Sequence, residues 1–160
     1  MKRGERNLLL GIAAVIILLM IINGARRADV SSQERELPFY TTASKELQHD
    51  GGMLYKRLGC KSCHSLWSIR DIMKSVPAPA LDGMGSLRER EWLFTYFSAV
   101  NPQAIIPSRL KKEYQMPSFA SLPESERHLL ADYISSLKVK DWYLDDARKA
   151  ECRKLTGEDC

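Results

Sequence analysis

The sequence feature that most constrains this chain is a short cluster of cysteine and histidine. The segment GCKSCHS places Cys60, Cys63 and His64 in the order Cys-x-x-Cys-His. Paired cysteines at this spacing can form a redox disulfide or bind zinc. A redox pair belongs in a βαβ setting, which the rest of the sequence does not show. A zinc site that also used Cys152 and Cys160 is disfavoured, because adjacent Cys63 and His64 cannot easily both reach one tetrahedral ion together with Cys60.

The order Cys-x-x-Cys-His is the attachment sequence of a c-type haem. The two thiols would add to the two vinyl groups of the haem as thioethers, since their spacing lets both reach one edge of the porphyrin. The histidine is thereby placed under the iron as its proximal ligand. We therefore predict one covalently attached haem c, bound through Cys60, Cys63 and His64. Its attachment outside the cytoplasm would place the domain in an exported compartment.

A haem iron with one histidine ligand either binds a second protein ligand or keeps an open position. Met116 is the candidate for the second metal ligand, because it ends a long loop and Pro117 after it restricts the backbone direction. The alternative is that Met116 only packs the loop. The other methionines, Met53, Met73 and Met84, are expected to pack in the domain, whereas His49 and His128 are expected to face solvent. Methionine ligation would raise the reduction potential of the iron relative to ligation by two histidines.

An apolar run lies near the N-terminus. Leu8 to Ile22 reads LLLGIAAVIILLMII, and the uncharged stretch 7–25 would span about 28 Å as a helix, close to the hydrocarbon thickness of a bilayer. Arg26 and Arg27 follow the best cleavage point, which favours an uncleaved signal-anchor over a cleaved signal peptide. The basic residues on the two sides are nearly balanced, so the haem motif decides the orientation. We expect a single-pass protein of the bacterial inner membrane that contacts lipid through residues 7–25, with its haem domain on the periplasmic side.

The rest of the sequence predicts an all-α domain with long loops. Apolar residues recur at helical spacing in four segments: 44–58, 86–100, 124–137 and 141–155. The first helix would begin at Ser44 or at Asp50. The other helix starts include two capping-box patterns, Ser86-Leu87-Arg88-Glu89 and Ser121-Leu122-Pro123-Glu124. No segment alternates as a strand does, and a bulky bound group would complete a core that the long loops 65–85 and 107–120 leave small.

Further short motifs accompany the Cys-x-x-Cys-His segment. They are Gly51, Leu54-Tyr55, Ala78-Pro79-Ala80-Leu81-Asp82-Gly83, Trp92-Leu93, Asn101-Pro102, Met116-Pro117-Ser118-Phe119, and Leu130 with Tyr133-Ile134. With them, residues 44–137 resemble a class I cytochrome c. This resemblance implies that the carbonyl of Pro79 accepts a hydrogen bond from Nδ1–H of His64. It also implies that the helix carrying Gly51 crosses the helix carrying Tyr133 at close range.

The predicted layout has four parts. Residues 1–25 form a cytoplasmic stub and the anchor, 26–43 a linker, 44–137 the haem domain and 138–160 a C-terminal helical extension. Cys152 and Cys160 in the extension would form a disulfide in an oxidising compartment, with free thiols or an intermolecular bridge as the alternatives. The layout resembles the membrane-bound cytochrome c subunits of haem-copper oxidases and nitric oxide reductases, which is an analogy of architecture.

The predicted function is one-electron transfer in a respiratory chain, with no catalytic residue and no small-molecule substrate. The partner would be a membrane-embedded redox complex or another cytochrome. A net charge of +4, part of it at the extreme N-terminus, is too small to indicate nucleic acid. Seven residues would form a basic rim for an acidic partner, or else a scattered solvated surface: Lys61, Arg70, Lys74, Arg88, Arg90, Lys111 and Lys112. The alternative function is a haem-based gas sensor or haem enzyme with an open axial site, which requires that Met116 does not bind the iron.

Overall fold

The computed structural model describes residues 3–32, 37–67 and 76–160, and the side chains of 3, 5–10 and 25–32 lie outside that description. The chain divides into two compact units, Met1–Glu36 and Leu37–Cys160. Helix α1 (Arg3–Ser32) belongs to the first and extends beyond the predicted span into the predicted linker. Among the described residues, no helix has both the length and the apolarity that crossing a bilayer demands. The predicted anchor falls partly outside them, at the side chains of 7–10 and 25.

The second unit is mostly helical. Its helices are α2 (Lys45–Arg57), α3 (Met84–Leu87), α4 (Arg90–Ser98), α5 (Glu124–Ser136) and α6 (Leu144–Thr156). Short 3₁₀ helices lie between them at Cys60–Ser62, Pro102–Ala104, Lys112–Tyr114 and Asp141–Tyr143. The mostly helical domain expected from the sequence is therefore present.

The expectation that no segment forms a strand is wrong. Strand β1 (Phe39–Thr41) pairs antiparallel with β2 (Leu137–Val139), with Tyr40 opposite Lys138. Each strand has three residues, which is too short for an alternating pattern to be seen in the sequence. Their pairing depends on a partner far away in the chain, so local propensity does not reveal it.

The helix starts were predicted with mixed success. Ser44 begins α2, because its hydroxyl accepts a hydrogen bond from the Leu47 N–H at 3.1 Å. Both capping-box predictions are wrong, since α4 and α5 start after Glu89 and Pro123, neither of which makes a side-chain cap bond. Ser86 lies inside α3, and its hydroxyl accepts instead from the Val139 N–H at 3.0 Å. The Ser86 hydroxyl is therefore used in a bond to a distant residue and not in a local helix cap.

The core forms where α2, α4 and α5 meet. Its members include Leu54, Leu93, Phe97, Leu130, Ile134 and Leu137. Helix α2 approaches α5 closely at Gly51, where an added Cβ would lie 2.5 Å from the Cβ of Tyr133. Met53, which was predicted to pack, faces solvent instead and is 60 % exposed, and Val100, which follows the end of α4, is 84 % exposed.

A disulfide cross-links the end of the C-terminal extension. Cys152 and Cys160 form a disulfide, which is the pairing that the sequence favoured. Gly157 ends α6 in the left-handed conformation with φ 85°, which glycine adopts without steric cost. The guanidinium of Arg153 lies 2.8 Å from the carboxylate of Asp159 across this turn. These contacts tie the last residues of the chain to the end of α6.

Candidate cofactor site

The turn after α2 brings the cysteine motif together. Gly59 has φ 70°, a left-handed conformation in which the chain leaves the path of α2. The 3₁₀ helix Cys60–Ser62 follows it directly. The N–H of His64 donates to the carbonyl of Cys60 at 2.9 Å, and the hydroxyl of Ser62 donates to the carbonyl of Gly59 at 2.8 Å. The motif therefore forms its own compact turn, built mainly from local hydrogen bonds.

All five of the predicted site residues line one cavity. They are Cys60, Cys63, His64, Pro79 and Met116. The cavity has a volume of about 610 Å³, which lies within the range of about 300–1,000 Å³ for ligand and cofactor pockets. Much of its wall is apolar, with Leu81, Leu93, Phe97 and Ile134 among the lining residues. The cavity has the size and the character to hold a large apolar group.

The imidazole of His64 is oriented by a backbone carbonyl. Its Nδ1 lies 2.7 Å from the carbonyl oxygen of Pro79. Because a carbonyl only accepts, Nδ1 carries the hydrogen and Nε2 keeps a lone pair. Burial lowers the pKa of His64, and the Pro79 carbonyl partly opposes this effect. The neutral ring that results has the form that binds a metal, although the role of His64 as iron ligand remains a prediction.

The two motif cysteines are both available for reaction. Neither Cys60 nor Cys63 is in a disulfide, and both are half-buried at the cavity. Burial raises the pKa of the Cys60 thiol to about 11. Over residues 3–32, 37–67 and 76–160, no three His, Cys, Asp or Glu side chains are grouped so that they could hold a metal ion.

Two methionines line the cavity. Met116 is half-buried, and its carbonyl accepts a hydrogen bond of 2.8 Å from the side-chain amide of Gln103. Met84 lies in the core and is 7 % exposed. Of the other candidates, His49 is exposed, and Met73 lies outside the described residues. The prediction that His128 points only to solvent is wrong, because its ring stacks on Phe94 with centroids 4.0 Å apart.

A family comparison identifies the domain. The family model for cytochrome c matches residues 48–138, which is more than half of the chain's 160 residues. This chain belongs to the cytochrome c family. The matched segment contains the Cys-x-x-Cys-His motif together with Pro79 and Met116. The searches of curated proteins and of solved structures gave no match.

The residues of this cytochrome fit the cofactor that its family carries, which is a covalently attached haem c. Two available thiols, an oriented neutral imidazole and two thioethers line the same cavity. The apolar wall suits a porphyrin, because it removes apolar surface from water. One haem per chain follows from the single Cys-x-x-Cys-His motif.

Some cavity residues were not foreseen from the sequence. Glu151, Lys154 and Leu155 of α6 line the cavity, although α6 lies beyond the matched family segment. No local pattern marks them, because only the docking of α6 brings them there. Two members of the predicted basic rim are paired, Arg88 with Glu151 at 3.1 Å and Arg90 with Asp132. Lys61, Lys111 and Lys112 are exposed, whereas Arg70 and Lys74 lie outside the described residues.

Proposed function

We propose that this cytochrome is a membrane-anchored, periplasm-facing monohaem protein that transfers single electrons in a respiratory chain. It would act as a subunit of a larger membrane redox complex or as a relay to one. The observation that carries the proposal is the one cavity that collects two thiols, an imidazole and a thioether from separate parts of the chain. Such a donor set holds a haem and supplies two axial ligands, so that substrate has no position to occupy.

Each part of the site has a task in this function. When bound, haem c supplies an iron that changes oxidation state by one electron. Cys60 and Cys63 would fasten the porphyrin, while His64 and Met116 would supply the axial donors. The Pro79 carbonyl fixes the ring of His64 and increases its basicity. The apolar wall excludes water from the cavity. Fewer water molecules then have to reorient when the charge of the iron changes.

The proposed membrane anchor rests on the amino-acid sequence, and the proposed acidic partner rests on exposed lysines of the haem domain. The uncharged stretch 7–25, which contains the apolar run Leu8–Ile22, would span about 28 Å as a helix, close to the hydrocarbon thickness of a bilayer. An anchored carrier searches for its partner in two dimensions or remains within one complex. Lys61, Lys111 and Lys112 are exposed, and the cavity lining reaches Lys112. These lysines would steer an acidic redox partner toward the cavity side of the domain.

Replacing Met116 by alanine tests the axial ligand. We expect Met116→Ala to lose the methionine–iron charge-transfer band of the oxidised protein, to bind carbon monoxide when reduced, and to have a lower midpoint potential. The reduced natural sequence should not bind carbon monoxide at neutral pH. Absorption spectra and a redox titration measure these changes. Met84→Leu is the matched control, since Met84 lines the same cavity and its replacement should leave all three properties unchanged.

The opposite results would favour the alternative function. Carbon monoxide binding by the natural sequence, together with an unaltered spectrum in Met116→Ala, would indicate an open axial site. A gas sensor or a haem enzyme would then explain the cavity better. A spectrum that changes in Met84→Leu instead would assign the second axial ligand to Met84.

Placing two lysines in the apolar run tests the anchor. We expect Ile16→Lys with Leu19→Lys to abolish membrane retention, because each central charge costs about 2.5–3.5 kcal/mol on insertion scales. Loss of export should also remove the attached haem. The measurements are carbonate extraction of membranes and a haem stain. Ser31→Asp with Ser32→Asp, in the predicted linker, is the charged control and should leave both unchanged, because acidic residues contribute little to orientation. A mature mass that lacks residues 1–25 would contradict an uncleaved anchor.

A further inference from the structure

The C-terminal extension forms part of the cavity wall although it lies outside the family match. The match ends at residue 138, and the α6 residues at the cavity are Glu151, Lys154 and Leu155. The end of α6 is fastened by the Cys152–Cys160 disulfide. It also packs against the loop that carries Met116, because a Cβ added at Gly157 would lie 3.0 Å from Cζ of Arg109. The extension is therefore well placed to influence the bound group.

Glu151 is a nearly buried carboxylate on this wall. Its side chain is 12 % exposed, and its Oε1 lies 3.1 Å from Nη2 of Arg88. The Arg88 guanidinium also contacts other groups, since Nη1 donates to the carbonyl of Leu87 at 2.9 Å and Cζ lies 5.1 Å from the ring centroid of Trp92. Arg88 is thus held in place by three partners. Burial raises the pKa of Glu151, while the positive charge of Arg88 opposes that rise.

Other titratable groups share the cavity with Glu151. Arg88 comes from the segment before α4, and Lys154 from α6 itself. The loop 107–120 contributes Arg109, Lys112, Glu113 and Tyr114, and the remaining titratable lining residues are Tyr55, Cys60, Cys63, His64 and Tyr96. The two propionates of a bound haem would add carboxylates. The positive groups favour the ionised form of Glu151, and the negative groups favour its protonated form. Glu151 therefore lies in a cavity lined by charges of both signs, where one added unit of charge would change its proton affinity.

We propose that Glu151 is a redox-linked proton site of the haem cavity. When the iron gains one electron from a redox donor, the Glu151 carboxylate takes up one proton from the solvent and becomes a carboxylic acid. When the iron gives its electron to a redox acceptor, Glu151 releases that proton to the solvent. The reason is electrostatic: reduction removes one positive charge from the cavity, which makes a nearby carboxylate anion less favourable. By linkage, protonation of Glu151 favours the reduced iron to the same extent. The proposal rests on the electron-transfer function given above.

The test is the pH dependence of the midpoint potential of the full, haem-loaded chain. We expect the potential of the natural sequence to fall between an acid and an alkaline plateau as pH rises. A proton that binds tenfold more tightly to the reduced protein corresponds to a fall of about 59 mV for one electron. Glu151→Gln should remain at the acid-plateau potential at every pH, because glutamine stays neutral. Glu158→Gln, an equal charge change at an exposed position of the extension, should keep the slope of the natural sequence.

Two results would overturn the proposal. A slope that persists in Glu151→Gln would assign the proton to another group, such as a propionate, and a potential independent of pH in the natural sequence would remove the linkage altogether. Failure of the haem to titrate reversibly would instead contradict the electron-transfer function.

A second measurement covers the case in which Glu151→Gln does not fold. Infrared difference spectra between the two redox states should show a carboxylic acid band that appears on reduction and shifts with ¹³C-labelled glutamate. In Glu151→Asp, which keeps the carboxyl group, that band should no longer shift with the label. A natural sequence without a label-sensitive band would contradict the role of Glu151.

Discussion

Serine at both Cys60 and Cys63 is expected to leave a chain whose mass no longer includes a porphyrin. A hydroxyl does not form the thioether bonds that hold haem c, although serine has nearly the size of cysteine. Intact mass spectrometry under denaturing conditions measures the effect, since only a covalently bound haem stays with the chain. Without the haem, the cavity of about 610 Å³ also loses the group that fills it, so we expect a large fall in the free energy of unfolding.

The other two cysteines provide the matched control for this change. Serine at Cys152 and Cys160 opens the disulfide of the extension but leaves the attachment motif intact. We expect that variant to keep its porphyrin and to lose about 2–3 kcal/mol of stability, the chain-entropy value for so short a loop. In the natural sequence, the proteolytic fragment that contains residues 60–64 should carry the added mass. A porphyrin that remains covalently attached after both motif cysteines are replaced would contradict the assignment of the attachment site.

Two neighbouring glycines in α2 are expected to respond to alanine with opposite signs. At Gly51 an added Cβ would lie 2.5 Å from both Cβ and Cγ of Tyr133, a buried residue of α5. The two helices would have to separate, which costs about 1–3 kcal/mol or more. At Gly52 the nearest atom is the Tyr133 hydroxyl at 3.9 Å. Alanine fits there and stabilises the helix by up to about 1 kcal/mol.

Denaturant unfolding of the two haem-loaded variants measures this difference. Because Gly51 and Gly52 lie in the same helix, helix propensity contributes similarly to both, and the gap between them reports the approach of α2 to α5. We expect Gly51→Ala to lower the denaturant midpoint and Gly52→Ala to raise it. Equal stabilisation by both would show that the helices do not meet at Gly51.

The balance between local and long-range interactions explains which elements could be read from the sequence. Helix α2 was predicted to start at Ser44 or at Asp50, and Ser44 is the correct one, through a cap bond that joins residues only three apart. The capping box at Ser86 failed since the hydroxyl bonds to Val139 instead, 53 positions away. The strand pair failed for the same reason, because Phe39 and Val139 become neighbours only when the chain is folded. A local sequence pattern indicates which interactions a residue can form, and tertiary contacts decide which of those interactions it does form.

The haem chemistry of this cytochrome could be read from the amino-acid sequence alone. Attachment of haem depends on residues within one turn of chain, Cys60, Cys63 and His64, whose spacing is fixed by covalent connection. The surroundings of the motif were less visible: the Pro79 carbonyl on His64 followed from the family resemblance, whereas the presence of both methionines at one cavity and of Glu151 on its wall emerged only from the folded chain. The physical reason is that a cavity is formed by packing between distant segments, and packing depends on the shape and burial of all of them together.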